Sequence, residues 1–210
     1  MMSVTWDLVH DALRLRKPAR VEEPVATRAA VAAILRGTEE TLELLFMRRA
    51  ELEGDPWSGH ISFPGGRAEP GEENTLQTAV RETEEETGID LDRDAELLGP
   101  LDEIRAMARG RPVDLSIAPF VFRMLTSVNG TPNHEVVSLH WLPLARLLDG
   151  ECRSTMEYEH EGTTLEAPCL RIDELVIWGL TYRMFDNLRQ LVEAAAAGPP
   201  TAGGERTAKP

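Results

Sequence analysis

Residues 81–89 read Arg81-Glu82-Thr83-Glu84-Glu85-Glu86-Thr87-Gly88-Ile89. They follow Thr75-Leu76-Gln77-Thr78-Ala79-Val80, and the whole of Thr75 to Thr87 has the composition of a helix stopped by Gly88, which can take the left-handed capping conformation. Four carboxylates then fall in the last two turns, where the helix dipole presents partial negative charge and acidic side chains are disfavoured. Glu82 and Glu86 are also an i,i+4 like-charge pair, a further local cost. At ~100° per residue, Glu82, Glu85 and Glu86 share an arc of roughly 100°, and Glu84 points away. Leu76, Ala79, Val80 and Thr83 make a separate stripe that can pack on a sheet. Three carboxylates on one edge of a half-buried helix suit a hard divalent cation with oxygen ligands, and the lack of neighbouring His or Cys argues against zinc or copper. Taken alone the run also fits a solvated acidic face. Phe63-Pro64-Gly65-Gly66 just upstream tips the balance, because glycines let backbone approach a ligand closely.

Outward from this stretch, the 210-residue chain alternates short apolar runs with turn residues. Strands are expected at Ala29–Arg36 and Thr41–Arg48, joined by Gly37-Thr38-Glu39-Glu40, and at His60–Phe63, ended by Pro64-Gly65-Gly66. Further strands are expected at Leu97–Ile104, Asp114–Phe122 and Val136–Leu142, and a hairpin pairs Arg153–Tyr158 with Thr164–Arg171 across Glu161-Gly162. Helices are expected over Val4–Arg16, Leu142–Leu148 and within Ile172–Ala194. The class is α+β, a mixed sheet between helices. Residues 1–27 form an N-terminal helical extension, 28–194 the main domain, and 195–210 a small, Pro- and Gly-rich tail expected to be disordered.

Composition excludes several classes. The net charge of -14, from 22 basic and 36 acidic residues, repels a nucleic-acid backbone. No apolar run approaches the ~18 to 20 residues of a membrane span, and the start lacks a signal peptide, so a cytoplasmic location is expected. Cys152 and Cys169 lack zinc-like spacing and read as reduced, packed thiols.

Arg81-Glu82, Glu85-Glu86, Gly88 and Ile89 resemble, in register, the Nudix hydrolase box G-x5-E-x7-R-E-U-x-E-E-x-G-U, with U a bulky apolar residue. Glu73 falls at the earlier glutamate. Gly66 lies one residue early, as is typical of the coenzyme A pyrophosphatase branch, and Thr83 replaces an apolar residue. Leu44 to Ala50, Ser58 to Gly66, Ile117 to Val121, Glu135-Val136 and Ile177 to Thr181 look like that branch, so the resemblance covers residues 28 to 192. Glu53-Gly54-Asp55-Pro56-Trp57 stands where the branch usually carries Arg and His.

The resemblance implies a Nudix fold, with Mg²⁺ or Mn²⁺ held by Glu82, Glu85, Glu86 and the Gly66 carbonyl. It implies catalytic roles for Glu85 and Glu135 and an orienting role for Arg81, with Arg48, Arg49 and Arg67 as candidates for the substrate phosphates. Trp57 is read as packing beneath its loop, His60 and His140 as core or rim, and Trp178 as core. The expected reaction is hydrolysis of a diphosphate bond in a nucleotide derivative, foremost coenzyme A or acyl-coenzyme A to 3′,5′-ADP and (acyl)phosphopantetheine. The alternatives are an ADP-ribose, nucleotide-sugar or dinucleotide pyrophosphatase and a non-catalytic nucleotide-sensing module, which would be expected to lose the box carboxylates. The expected partner is a small nucleotide diphosphate, with no nucleic acid or membrane, and a homodimer is left open.

Overall fold

The computed structural model describes residues 4–14, 16–22, 25–54, 57–108, 111–160 and 162–198. Its centre is β1, Thr27–Arg36. Apolar residues occupy both faces of this strand, as a strand covered on two sides requires. Ala29, Val31, Ala33 and Leu35 enter one core cluster, while Ala32 and Ile34 enter a second and Ala30 a third.

Strand β1 runs parallel to β7, Arg111–Met124, and antiparallel to β2, Glu43–Arg49. The main sheet is ordered β3-β2-β1-β7-β5, where β3 is Ile61–Ser62 and β5 is Ala95–Pro100. Three more strands join it: β4, Gly65–Arg67, pairs with β1; β6, Ile104–Ala108, with β7; and β8, Val136–Pro143, with β2. A smaller antiparallel sheet comprises β9, Arg153–His160, β10, Thr163–Ile172, and β11, Leu175–Trp178.

Helix α2, Thr75–Thr87, packs against β1, β4 and β7 on one face. The other face is covered by α1, Trp6–Arg14, and α5, Gly179–Ala197, which also touch each other. Two short helices, α3 at Leu91–Asp94 and α4 at Leu144–Leu148, sit in connections. This is the mixed sheet between helices that the pattern of runs predicts.

Four expectations need correction. Pro64-Gly65-Gly66 does not end the sheet, because Gly65–Arg67 pairs with Val31, Ala30 and Ala29 as β4. The run Leu97–Ile104 is broken, ending as β5 at Pro100 and resuming as β6 at Ile104, with Leu101 N–H bonded to the Pro119 carbonyl between them. Leu175–Trp178 is a strand, so the last helix starts only at Gly179. That helix continues to Ala197, three residues past its expected end at Ala194. Residues 199–210, Asp55, Pro56 and Glu161 lie outside the described residues.

A candidate diphosphate-binding cleft

Helix α2 is fixed at both ends. The Asn74 side chain accepts from the N–H groups of Leu76 and Gln77 at 3.0 and 3.2 Å, satisfying donors that a helix start leaves open. Gly88, at φ 67°, donates its N–H to the Glu84 carbonyl at 2.8 Å. Thr83, where an apolar residue is usual, is fully buried, and its hydroxyl bonds to the Ala79 carbonyl at 2.7 Å. A buried threonine is tolerated here because its polar atom is satisfied within the helix.

This register turns Glu82 and Glu86 inward and leaves Glu84 exposed. Glu86 is 3% exposed and accepts a 2.8 Å bond from the Gly65 N–H, and Arg49 lies 3.8 Å away. Burial pushes its carboxyl up; the Gly65 N–H and Arg49 oppose, Glu82 and Glu135 add to the rise, and the value reaches about 7. Burial likewise raises Glu82, against Arg81 and with Glu85 and Glu135.

Both carboxylates open into a cleft of about 600 Å³. Gly65, Gly66 and Arg67 of β4 form part of its wall, with Arg49 from the end of β2 and Glu135 from the turn before β8. A Cβ on Gly66 would lie 2.4 Å from the Glu82 carboxyl carbon, so glycine makes room for that carboxylate against the strand. Leu115 and Ile117 of β7 and Trp178, Leu180, Thr181 and Met184 around the start of α5 line the cleft as well.

The remaining candidates are placed as follows. Arg81 donates to Glu72 at 2.9 Å, to Glu85 at 3.1 Å and to the Arg67 carbonyl at 3.1 Å, and it lies 3.0 Å from a Glu82 oxygen. It ties the acidic cluster to β4 and does not line the cleft. Glu85 is 55% exposed and turned toward Arg81, outside the cleft lining. Arg48 is also absent from that lining, and its charge instead adds to burial in lowering the His140 pKa. The β2–β8 register shifts between Arg48 and Arg49, and of the two only Arg49 lines the cleft.

The aromatic expectations divide. Trp57 packs against the main core and lines the cleft, and His60 sits on its rim. His140 is on β8, 2.7 Å from the Ser138 hydroxyl. Trp178 is not core. It is half-buried at the cleft, with ring centroids 4.9 Å from His60 and 5.6 Å from Tyr158. Leu180 and Thr181 entered the sequence reading only through the resemblance at Ile177 to Thr181, and Met184 and Glu72 were not singled out. The apolar spacing of α5 hinted at Met184, and an acidic residue beside Glu73 at Glu72.

The NUDIX domain model matches residues 26–160, spanning β1 to the end of β9 and including the acidic helix. The chain belongs to the NUDIX domain family. An uncharacterized fission-yeast protein, C14C4.10c of Schizosaccharomyces pombe, is 37% identical over 120 residues, 55% of this chain. The match spans about a third of that protein, 36% of its length. The uncharacterized Nudix hydrolase NudL of Yersinia pestis is 27% identical over 154 residues, covering 71% of this chain and 72% of the relative. A MutT/nudix family protein from Enterococcus faecalis superposes with a TM-score of 0.51 at 17% identity, covering 85% of this chain and 63% of the other, which speaks to fold alone.

Nudix hydrolases generally use divalent metal ions, and the donors present suit one. Glu82 and Glu86 are inward-facing oxygen donors, both raised in pKa by burial and by nearby carboxylates, which is the electrostatic situation a hard cation relieves. Among the described residues no three His, Cys, Asp or Glu side chains are already gathered as a coordination cluster, since Glu85 is held by Arg81. No helix among them is long and apolar enough to cross a membrane.

Proposed function

We propose that this Nudix hydrolase cleaves the diphosphate of coenzyme A or an acyl derivative, giving 3′,5′-ADP and (acyl)phosphopantetheine. The observation that carries the reading is the make-up of one cleft. Glu82, Glu86 and Glu135 share its lining with Arg49 and Arg67 and with the uncharged side chains of Leu115, Ile117, Trp178, Leu180 and Met184. Such a cleft suits a molecule with a diphosphate in the middle and a long, mostly apolar arm.

A divalent cation, Mg²⁺ or Mn²⁺, held by Glu82 and Glu86 with Glu85 and the Gly66 carbonyl as further donors, would neutralise diphosphate charge and make water a better nucleophile. Glu135, half-exposed in the cleft wall, accepts the proton of the attacking water. The water oxygen bonds to one phosphorus, the bridging P–O bond breaks, and the leaving phosphate takes the electron pair. Arg49 and Arg67 orient the phosphate oxygens. Arg81 positions Glu82 and Glu85 without touching substrate.

A second reading is hydrolysis of ADP-ribose or a related nucleotide sugar. It draws on Glu53 and Asp55, acidic where recognition of a ribose 3′-phosphate favours arginine or lysine. The intact carboxylates Glu82, Glu85 and Glu86 weigh against a non-catalytic sensor. The test is kcat/KM for coenzyme A, 3′-dephospho-coenzyme A and ADP-ribose under one metal condition, with products identified by mass. The expected order places coenzyme A first, with all turnover lost in chelator and restored by Mg²⁺ or Mn²⁺. Preference for ADP-ribose rejects the first reading, and undiminished turnover after chelation rejects the mechanism.

A further inference from the structure

Strand β3 brings a hydroxyl to the cleft lining. Ser62, its second residue, pairs with Met47 of β2. It lines the cleft together with Arg49, His60 and Gly65. The Arg49 N–H donates to the His60 carbonyl at 3.0 Å, so the arginine stands across the ladder from a residue two before Ser62. Three residues after Ser62, the Gly65 N–H holds Glu86 at 2.8 Å. Ser62 thus sits between the place where the chain meets Arg49 and the place where it reaches Glu86.

The Ser62 residue as a whole is half-buried, but its Oγ is shielded from solvent and has no hydrogen-bond partner among the described residues. Hydroxyls elsewhere in the chain are paired. Thr83 and Thr87 bond to the carbonyl four residues earlier, Thr78 to Glu72 and Ser138 to His140. A helix offers a hydroxyl that nearby carbonyl, whereas strand carbonyls point along the sheet and are engaged by the ladder. A shielded hydroxyl without a partner weakens the fold, so such a group is expected to meet one in use. Serine has a single heavy-atom rotor, and one χ1 step carries its oxygen to another staggered position.

We infer that Ser62 is a substrate-binding residue, its hydroxyl donating to a non-bridging oxygen of the diphosphate that Arg49 also contacts. The neighbours decide the acceptor. Arg49 brings positive charge to this part of the lining, which draws an anionic oxygen, and a hydrogen bond to an anion is stronger than one to a neutral group. The hydroxyl adds a directed donor beside the arginine without adding charge beside Glu86. This assignment rests on the diphosphate-cleaving reading above and is independent of which nucleotide derivative carries the diphosphate.

The test titrates methylenediphosphonate and α,β-methylene-ADP, whose P–C–P bridges resist hydrolysis, into the Mg²⁺-loaded wild type and its Ser62→Ala and Ser138→Ala variants. Melting curves are recorded on the metal-free proteins. Ser62→Ala is expected to bind both ligands about tenfold more weakly, yet to melt at or above wild type, since alanine removes a hydroxyl that has no partner in the fold. Ser138 lies outside the cleft lining and its hydroxyl is bonded to His140, so Ser138→Ala is expected to bind both ligands as wild type does. Unchanged affinity of Ser62→Ala for methylenediphosphonate overturns the proposal, because the bond is then not to the phosphates. A lower melting temperature of Ser62→Ala overturns it as well, because the hydroxyl is then already bonded within the fold. If coenzyme A is not cleaved but the titrations behave as expected, the proposed reaction falls and the Ser62 contact stands.

Discussion

Arg81 is bound to Glu72, Nε to Oε1 at 2.9 Å, and Glu72 is tied in turn to the Thr78 hydroxyl and the Glu69 N–H, both at 2.7 Å. Burial works against the Glu72 charge, but the hydroxyl, the N–H and the guanidinium outweigh it and hold the carboxyl below its ordinary value. Glu72 thus anchors the arginine that restrains Glu82 and Glu85. Glu72→Gln is expected to destabilise the fold by about 1–3 kcal/mol and to lower kcat/KM by roughly tenfold through misplaced glutamates. Glu73→Gln, at an exposed position, is expected to leave both nearly unchanged. Thermal melts and kinetics on the pair decide it.

Glu86 and Glu84 share a helix but not a face. Glu86→Gln is expected to lose at least ~100-fold in kcat, since it removes a charge proposed to hold the cation. Its metal-free melting temperature should rise, because a buried charge beside Glu82 is relieved and an oxygen remains for the Gly65 N–H. Glu84→Gln should change turnover by less than about threefold, as expected of a group outside the site. Similar losses in both variants would contradict the helix register.

Two adjacent glycines should fail in different ways. At Gly65, φ 146°, an added Cβ would sit 2.2 Å from the Ala30 carbonyl oxygen, which is backbone of the central strand and cannot yield. Gly65→Ala is expected to cost about 3 kcal/mol or more in stability. At Gly66 the clash is with the end of the Glu82 side chain, which can swing aside. Gly66→Ala should melt close to wild type while losing at least ~10-fold in activity, the consequence of a displaced ligand. Denaturation curves and initial rates separate the two.

Asp102 gives a pH signature away from the cleft. Burial raises its carboxyl, but the Ala19 N–H, the Arg16 guanidinium and the Asn187 amide prevail and hold it below its ordinary value. It joins the segment after α1 to α5 through Ala19 at 2.6 Å and Asn187 at 3.0 Å. A depressed native pKa means the folded state binds fewer protons than the unfolded chain. The contribution is therefore complete above the unfolded value of about 3.9 and lost as pH falls through the native one. Asp102→Asn should be less stable than wild type by about 1–2 kcal/mol at pH 7, with the gap narrowing as pH falls below the unfolded value. A pH-independent gap in denaturant midpoints would refute the linkage.

What could be read from the chain follows the range of the forces involved. Helix α2 and its Gly88 cap were legible because capping and periodicity are local. Strand β4 was not, since Gly65-Gly66-Arg67 has turn composition and is a strand only because β1 lies beside it. Leu175–Trp178 is a short apolar run running straight into a helix, and periodicity alone cannot divide the two. The three arginines looked equivalent, but Arg49 and Arg67 line the cleft and Arg48, across the register shift from Arg49, does not. Counting residues pointed to Glu73 as the box glutamate, whereas the loop geometry delivers Glu72 to Arg81.

The wall formed by Trp178 and the first turn of α5 lies wholly beyond residue 160, where the match to the shared domain ends. The carboxylates Glu82 and Glu86 lie inside that match, and this part of the cleft wall lies outside it. The acidic helix and residues 175–184 can therefore diverge at different rates without either unsettling the other.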